Sequence, residues 1–119
     1  MKIAITSTGI ELDSQVDPRF GRAAFILIVD SESYDFEVLD NKENVNALKG
    51  AGIQAACMIN DKKAEVLLTG FCGPNAFKAL NAAKIGVAND AGGTVRDAIK
   101  SYLEGKLPLS DKPNAEGQW

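Results

Sequence analysis

The residues best equipped for chemistry lie in Thr69-Gly70-Phe71-Cys72-Gly73-Pro74-Asn75, where a thiol is flanked by glycines. The preceding Val66-Leu67-Leu68 is a short apolar run that reads as a buried strand, and Pro74 suits the first position of a helix. A glycine-flanked loop between strand and helix aims backbone N–H groups and the positive end of a helix dipole at one point. That point suits a small anion. Cys72 adds a soft, ionisable sulfur, so a metal also fits.

Two other loops carry comparable groups. Asp17-Pro18-Arg19-Phe20-Gly21-Arg22 places two guanidinium groups around an aromatic and a glycine, and Arg is suited to planar anion contacts. Alternatively, each arginine pairs with Asp13 or Asp17 on a solvated loop. Asn89-Asp90-Ala91-Gly92-Gly93-Thr94 either permits a turn before a helix or lets a bulky anion approach the amides. Cys72 is either a ligand, with its thiolate favoured by a helix N-terminus, or a small hydrophobe in a tight turn. Cys57 lies at helical spacing from Ile53 and reads as structural, on an apolar face.

Composition excludes several chemistries. The chain has 119 residues and no histidine, which removes triads built on His and the commonest metal ligand. Thirteen basic against 16 acidic side chains give a formal charge of −3, which is unfavourable for nucleic acid or an anionic membrane. Two cysteines, Cys57 and Cys72, make neither a disulfide framework nor a close-spaced zinc motif. A two-metal nuclease is unattractive because the first strand has no acidic residue. A thiol phosphatase is unattractive because Gly73-Pro74-Asn75-Ala76-Phe77-Lys78 supplies no arginine. The N-terminal apolar run Ile3-Ala4-Ile5 is too short for a signal-peptide core or a membrane span, which points to the cytoplasm.

The elements that must position these loops follow from periodicity. Lys2 to Thr6 reads as a strand buried on both faces, closed by Ser7-Thr8-Gly9, and residues 10–22 as a structured loop. Ala24 to Val29 and Asp35 to Leu39 make an antiparallel hairpin, and Asp40 to Lys49 a surface loop. A helix is predicted over Gly50 to Asn60, with Ile53, Ala56 and Cys57 on one face. Glu65 to Thr69, Pro74 to Ala83 and Ile85 to Ala88 form a parallel βαβ unit. Thr94 caps a last helix whose apolar positions are Val95, Ala98, Ile99, Tyr102 and Leu103, and Gly105 ends it. Residues 1–104 thus make a single α/β domain, and 105–119 read as a flexible tail. Ligands of such mixed sheets bind beyond the carboxyl ends of the parallel strands. The Ser7-Thr8-Gly9, Gly70–Pro74 and Asn89–Gly93 loops all leave such ends.

Three stretches carry a resemblance: Asp17-Pro18-Arg19-Phe20-Gly21-Arg22-Ala23, Gly50-Ala51-Gly52-Ile53-Gln54-Ala55-Ala56, and Gly73-Pro74-Asn75-Ala76 followed by Leu80. They are similar, in order over residues 1–104, to signatures of the dinitrogenase iron–molybdenum cofactor biosynthesis family, with Cys72 before Gly-Pro resembling its orange protein subgroup. The resemblance implies an RNase H-like fold, a five-stranded mixed sheet flanked by helices. It further implies a molybdenum–copper sulfide cluster, or alternatively an iron–molybdenum or iron–sulfur cluster, and partner ATPases of the MinD/Mrp type.

The expectation is a non-enzymatic carrier of an anionic metal–sulfur cluster. Its site would comprise Ser7, Thr8, Arg19, Phe20, Gly21, Arg22, Phe71, Cys72, Gly73, Pro74, Asn75, Asn89, Gly92, Gly93 and Thr94, with Cys72 as the candidate metal ligand. The alternatives are an adaptor for such an ATPase with a vestigial pocket, and a thiol enzyme centred on Cys72.

Overall fold

The computed structural model describes residues 1–45 and 50–114. Its elements are β1 (Lys2–Ser7), β2 (Phe25–Asp30), β3 (Phe36–Asp40), α1 (Lys42–Val45), α2 (Ala51–Asp61), β4 (Val66–Leu68), α3 (Pro74–Ala82), β5 (Gly86–Ala88) and α4 (Val95–Leu103). The strands form one mixed sheet in the order β3-β2-β1-β4-β5. β2 runs antiparallel to both β1 and β3, whereas β1, β4 and β5 are parallel. This is the RNase H-like α/β architecture expected, and it brings the ends of β1, β4 and β5 side by side.

Alternation along the central strand explains the layers. Successive side chains of β1 point to opposite faces. Ile3 and Ile5 pack with Leu27, Val29 and Leu68 against Val95, Ala98 and Ile99 of α4. Ala4 faces the other way, where Ile26, Ile28 and Leu67 meet Ala55, Ala56 and Ile59 of α2 and Ala76, Phe77 and Leu80 of α3. Burying one such large side chain contributes about 1.5–3 kcal/mol. α4 begins with a reciprocal capping box between Thr94 and Asp97, and Gly105 at φ 79° follows its C-cap.

Two expectations change. Within the surface loop predicted for Asp40 to Lys49, Lys42–Val45 is the short helix α1, and residues 46–49 lie outside the described residues. In α2 the buried positions are Ala51, Gly52, Ala55, Ala56 and Ile59, whereas Ile53 is 44% exposed and Cys57 is exposed. The structural role predicted for Cys57 on an apolar face is therefore corrected. The reason is proximity. A Cβ on Gly21, at φ 92°, would come within 2.8 Å of the Gly52 nitrogen, so α2 turns its smallest side chains inward.

Beyond Gly105 the sequence predicts a flexible tail, and its described portion lies along β5. The Ser110 N–H donates to Val87 O at 2.6 Å, and Leu109 lies over Gly86. Among the described residues no helix is long and apolar enough to cross a membrane.

Two glycines are set by close backbone approach. A Cβ on Gly70 would meet Pro18 Cα and O, both at 2.8 Å, and one on Gly21 would meet α2. Gly70→Ala and Gly21→Ala are each expected to cost about 2–3 kcal/mol in denaturant unfolding, because backbone rather than a flexible side chain must give way. Gly92→Ala has open space at its Cβ and should stay within about 0.5 kcal/mol.

Candidate functional site

The site is built on two threonines at equivalent ends of adjacent parallel strands. Thr6 and Thr69 are fully buried, and their hydroxyls are hydrogen-bonded to each other at 2.9 Å. Thr6 Oγ1 lies 2.6 Å from Asp17 O and donates to it, while the Asp17 N–H donates to Thr6 O at 3.0 Å. The loop of residues 10–22 is thereby folded back over the carboxyl end of β1. From there the Phe71 N–H donates to Pro18 O at 2.6 Å and the Phe20 N–H to Phe71 O at 3.0 Å. The arginine-bearing segment is thus paired, strand-like, with the loop leaving β4.

This pairing sorts the side chains. Phe20 is fully buried and packs in the same apolar cluster as Cys72, Ala76 and Phe77. It anchors the loop. Phe71 remains 41% exposed. The Arg19 side chain is about half exposed, with Nε 3.9 Å from Asp17 Oδ1, which also accepts from the Arg19 N–H at 3.1 Å. Arg22 reaches the other way, Nη1 donating to Val45 O at 2.9 Å at the end of α1. Asn41 holds the intervening turn by donating to Gly21 O and Ala23 O.

Cys72 lies under the loop. Its side chain has 0% exposure, and burial pushes its thiol up from the usual 9.0 to about 12. The thiolate suggested by a helix N-terminus is outweighed by desolvation, and the sulfur makes only a weak contact with Gly73 O at 3.7 Å. The first turn of α3 is different. Gly73 is its N-cap and supplies no side-chain cap, so the leading N–H groups after Pro74 are uncapped by any side chain.

The third loop is largely spoken for. The Asp90 and Ala91 N–H groups donate to Gly70 O and Thr69 O. The Thr94 and Asp97 N–H groups are held within the capping box, and those of Val95 and Arg96 donate to Ser14 O and Leu12 O. The α4 terminus therefore supports the loop before Asp17. Gly92 has open space around it, whereas the Gly93 carbonyl accepts from Val16 N–H. Asn89 is 5% exposed, and its Oδ1 is buried without a partner. Ser7 and Thr8 hydroxyls donate to Gly9 O and Gln15 O, holding their own loop.

Of the predicted site residues, then, Arg19, Phe71, Gly73, Pro74, Asn75, Asn89 and Gly92 flank the ends of β4 and β5. Phe20 and Cys72 sit in the core below them, and Gly21 and Arg22 are drawn towards α2 and α1. Residues absent from the expected site are Thr6, Asn41 and Asn114, together with Thr69, which heads the stretch singled out from sequence but has no role assigned in it. Asn114 accepts from the Cys72 N–H and donates to Gly70 O. For the threonines a signal existed, since each closes an apolar run of a predicted parallel strand. For Asn114 there was none. Among the described residues, no group of three or more His, Cys, Asp or Glu side chains is placed to hold a metal ion.

The sequence profile described as dinitrogenase iron-molybdenum cofactor matches residues 1–105. The apo form of the orange protein from Desulfovibrio gigas is 45% identical, superposes with a TM-score of 0.93, and each chain covers 96% of the other. A NifB-like protein from Thermotoga is 36% identical over 98% of both chains, with a TM-score of 0.84. An uncharacterized protein of Methanocaldococcus jannaschii is 25% identical over 111 residues, which are 90% of this chain and 93% of that protein.

Burial of Cys72 has a direct chemical consequence. With its pKa moved from 9.0 to about 12, its thiolate fraction near neutral pH falls about a thousandfold below that of an ordinary thiol. Alkylation of the native protein at about pH 8, followed by peptide mass analysis, should label exposed Cys57 and spare Cys72 until the protein unfolds. Rapid native labelling of Cys72 would restore the thiol-enzyme reading.

Proposed function

The chain belongs to the dinitrogenase iron-molybdenum cofactor family, and we propose that it is a cytoplasmic carrier of a preassembled, anionic metal–sulfur cluster, with no reaction of its own. The observation that carries this reading is the pairing of the Arg19 segment with the loop leading into α3. It sets a half-exposed guanidinium and the exposed ring of Phe71 beside a helix N-terminus that has no side-chain cap.

The donor set suits such a cargo. An anion is favoured by the positive end of the α3 dipole and by its free first-turn amides. Arg19 adds charge-assisted hydrogen bonds, and Phe71 displaces water from one side, which strengthens them. The buried amide of Asn89 is unpaired at Oδ1, and rotation about its side chain presents an N–H₂ group instead. Gly92 leaves room for a bulky ligand. A cluster already coordinated by its own sulfides requires no protein thiolate, which accords with a neutral, buried Cys72. The 45% identity to the orange protein favours a molybdenum–copper sulfide over an iron–molybdenum or iron–sulfur cargo.

Anaerobic purification with visible absorption and metal analysis tests the proposal. Wild-type protein should carry, or take up from molybdate, copper and sulfide, a coloured cluster. Cys72→Ala should retain it, whereas Arg19→Ala should bind it about tenfold more weakly or worse, the usual cost of losing a hydrogen bond to a charged group. A colourless protein that refuses all three reagents would overturn the reading.

A further inference from the structure

We infer that residues 106–114 form a displaceable strap whose Asn114 side chain holds the place of the cargo at the Cys72 amide. This inference rests on the carrier reading and concerns the regulation of that same site. Asn114 Oδ1 accepts from the Cys72 N–H at 2.8 Å, and its Nδ2 donates to Gly70 O at 3.0 Å. Its backbone N–H donates to Cys72 O at 3.1 Å. One residue therefore closes the loop between β4 and α3 from the outside, with a neutral carbonyl oxygen at the amide of the residue just before the N-cap Gly73.

The bonds are arranged so that release uncovers a donor. Gly70 O also accepts from the Asp90 N–H at 3.0 Å, so it keeps a partner when Asn114 leaves. The group that loses its acceptor is the Cys72 N–H, which then adds to the donors of the α3 terminus. Cys72 O also gives up a donor, but as a loop carbonyl uncovered by the strap it is open to water.

The strap's other described anchors are four: the Lys106 N–H on Ser101 O, Leu107 packed half-buried against the α4 side of the core, the Ser110 N–H on Val87 O, and the Leu109 side chain over Gly86, itself 53% exposed. Between Ser110 and Asn114 the chain stands away from the body, leaving a cavity of about 340 Å³ against Asn89 and Asp90. Its wall thus includes the residue whose Oδ1 is buried and unpaired. A segment with few buried apolar contacts opens locally at low cost. The strap also lies beyond residues 1–105 matched by the family profile.

Tetrathiomolybdate serves as a probe anion, with wild type, Asn114→Ala and Asn114→Asp compared in full-length protein. Amide exchange at Cys72 is followed by NMR without the anion, and binding by visible absorption. In Asn114→Ala the Cys72 amide should exchange roughly fivefold faster or more, and the anion should bind roughly fivefold tighter, the factor carried by one neutral hydrogen bond. Asn114→Asp keeps an acceptor at the amide and adds a like charge, so it should bind the anion more weakly than wild type. If wild type binds while Asn114→Ala binds equally or more weakly, the strap is overturned and the carrier reading stands. If neither wild type nor either variant binds, the carrier reading itself fails, and the strap as its gate falls with it.

Discussion

The hydrogen bond between the Thr6 and Thr69 hydroxyls is the constraint on which the site depends. It lies at full burial, where an unpaired hydroxyl would cost about 1–3 kcal/mol, so the two strand ends are fixed relative to each other. The Thr6 hydroxyl donates to the Asp17 carbonyl, and the Asp17 N–H donates back to the Thr6 carbonyl. A loop that shows no period in sequence is thereby fastened to the end of β1 at Asp17, next to the bridge between Val16 and Ser7. Everything that follows Asp17, including Pro18, Arg19 and Phe20, inherits its position from that fastening.

From this point the arrangement of charge follows. Pro18 and Phe20 pair with Phe71, and Phe20 plugs into the apolar cluster that also contains Cys72. The pairing requires a backbone close to Pro18, which only Gly70 allows. With Phe20 turned inward, Arg19 is turned outward. Its 3.9 Å contact with Asp17 is an exposed pair of the kind that contributes about 0–1 kcal/mol, so its guanidinium is available to a stronger anion. The N-terminus of α4 is occupied by its bonds to Leu12 and Ser14, whereas that of α3, which follows the loop leaving β4, has no side-chain cap. In the proposed carrier, selection for a bulky, self-coordinated anion would be a matter of shape and field rather than of ligating side chains.

Much of this was legible in the sequence because it rests on local rules. The double-faced burial of Ile3-Ala4-Ile5, the Pro74 start of α3, and the Thr94 cap and Gly105 stop of α4 all appear where residue type dictates them. The convergence of loops follows from the parallel order of β1, β4 and β5. What was not legible is set by long-range packing. The inward face of α2 is chosen for small size against Gly21, so Ile53 and Cys57 point away despite their hydrophobicity. Cys72 looks exposed beside two glycines, yet it is buried in an apolar cluster that Phe20 joins from a distant loop. Asn114 acts across 42 residues of sequence on an amide that nothing local would assign to it.

The central claim is that an anionic cluster is held by the α3 terminus and Arg19, with no bond to sulfur from the chain. The most direct measurement is NMR mapping of ¹⁵N-labelled protein titrated with a molybdenum–sulfide anion. The account predicts the largest shifts at the Gly73, Asn75 and Ala76 amides and at Arg19 Nε, with the Cys72 Cβ remaining at the position of a neutral thiol. Shifts confined to the α4 terminus, or a Cys72 Cβ moved to the position of a metal thiolate, would contradict it.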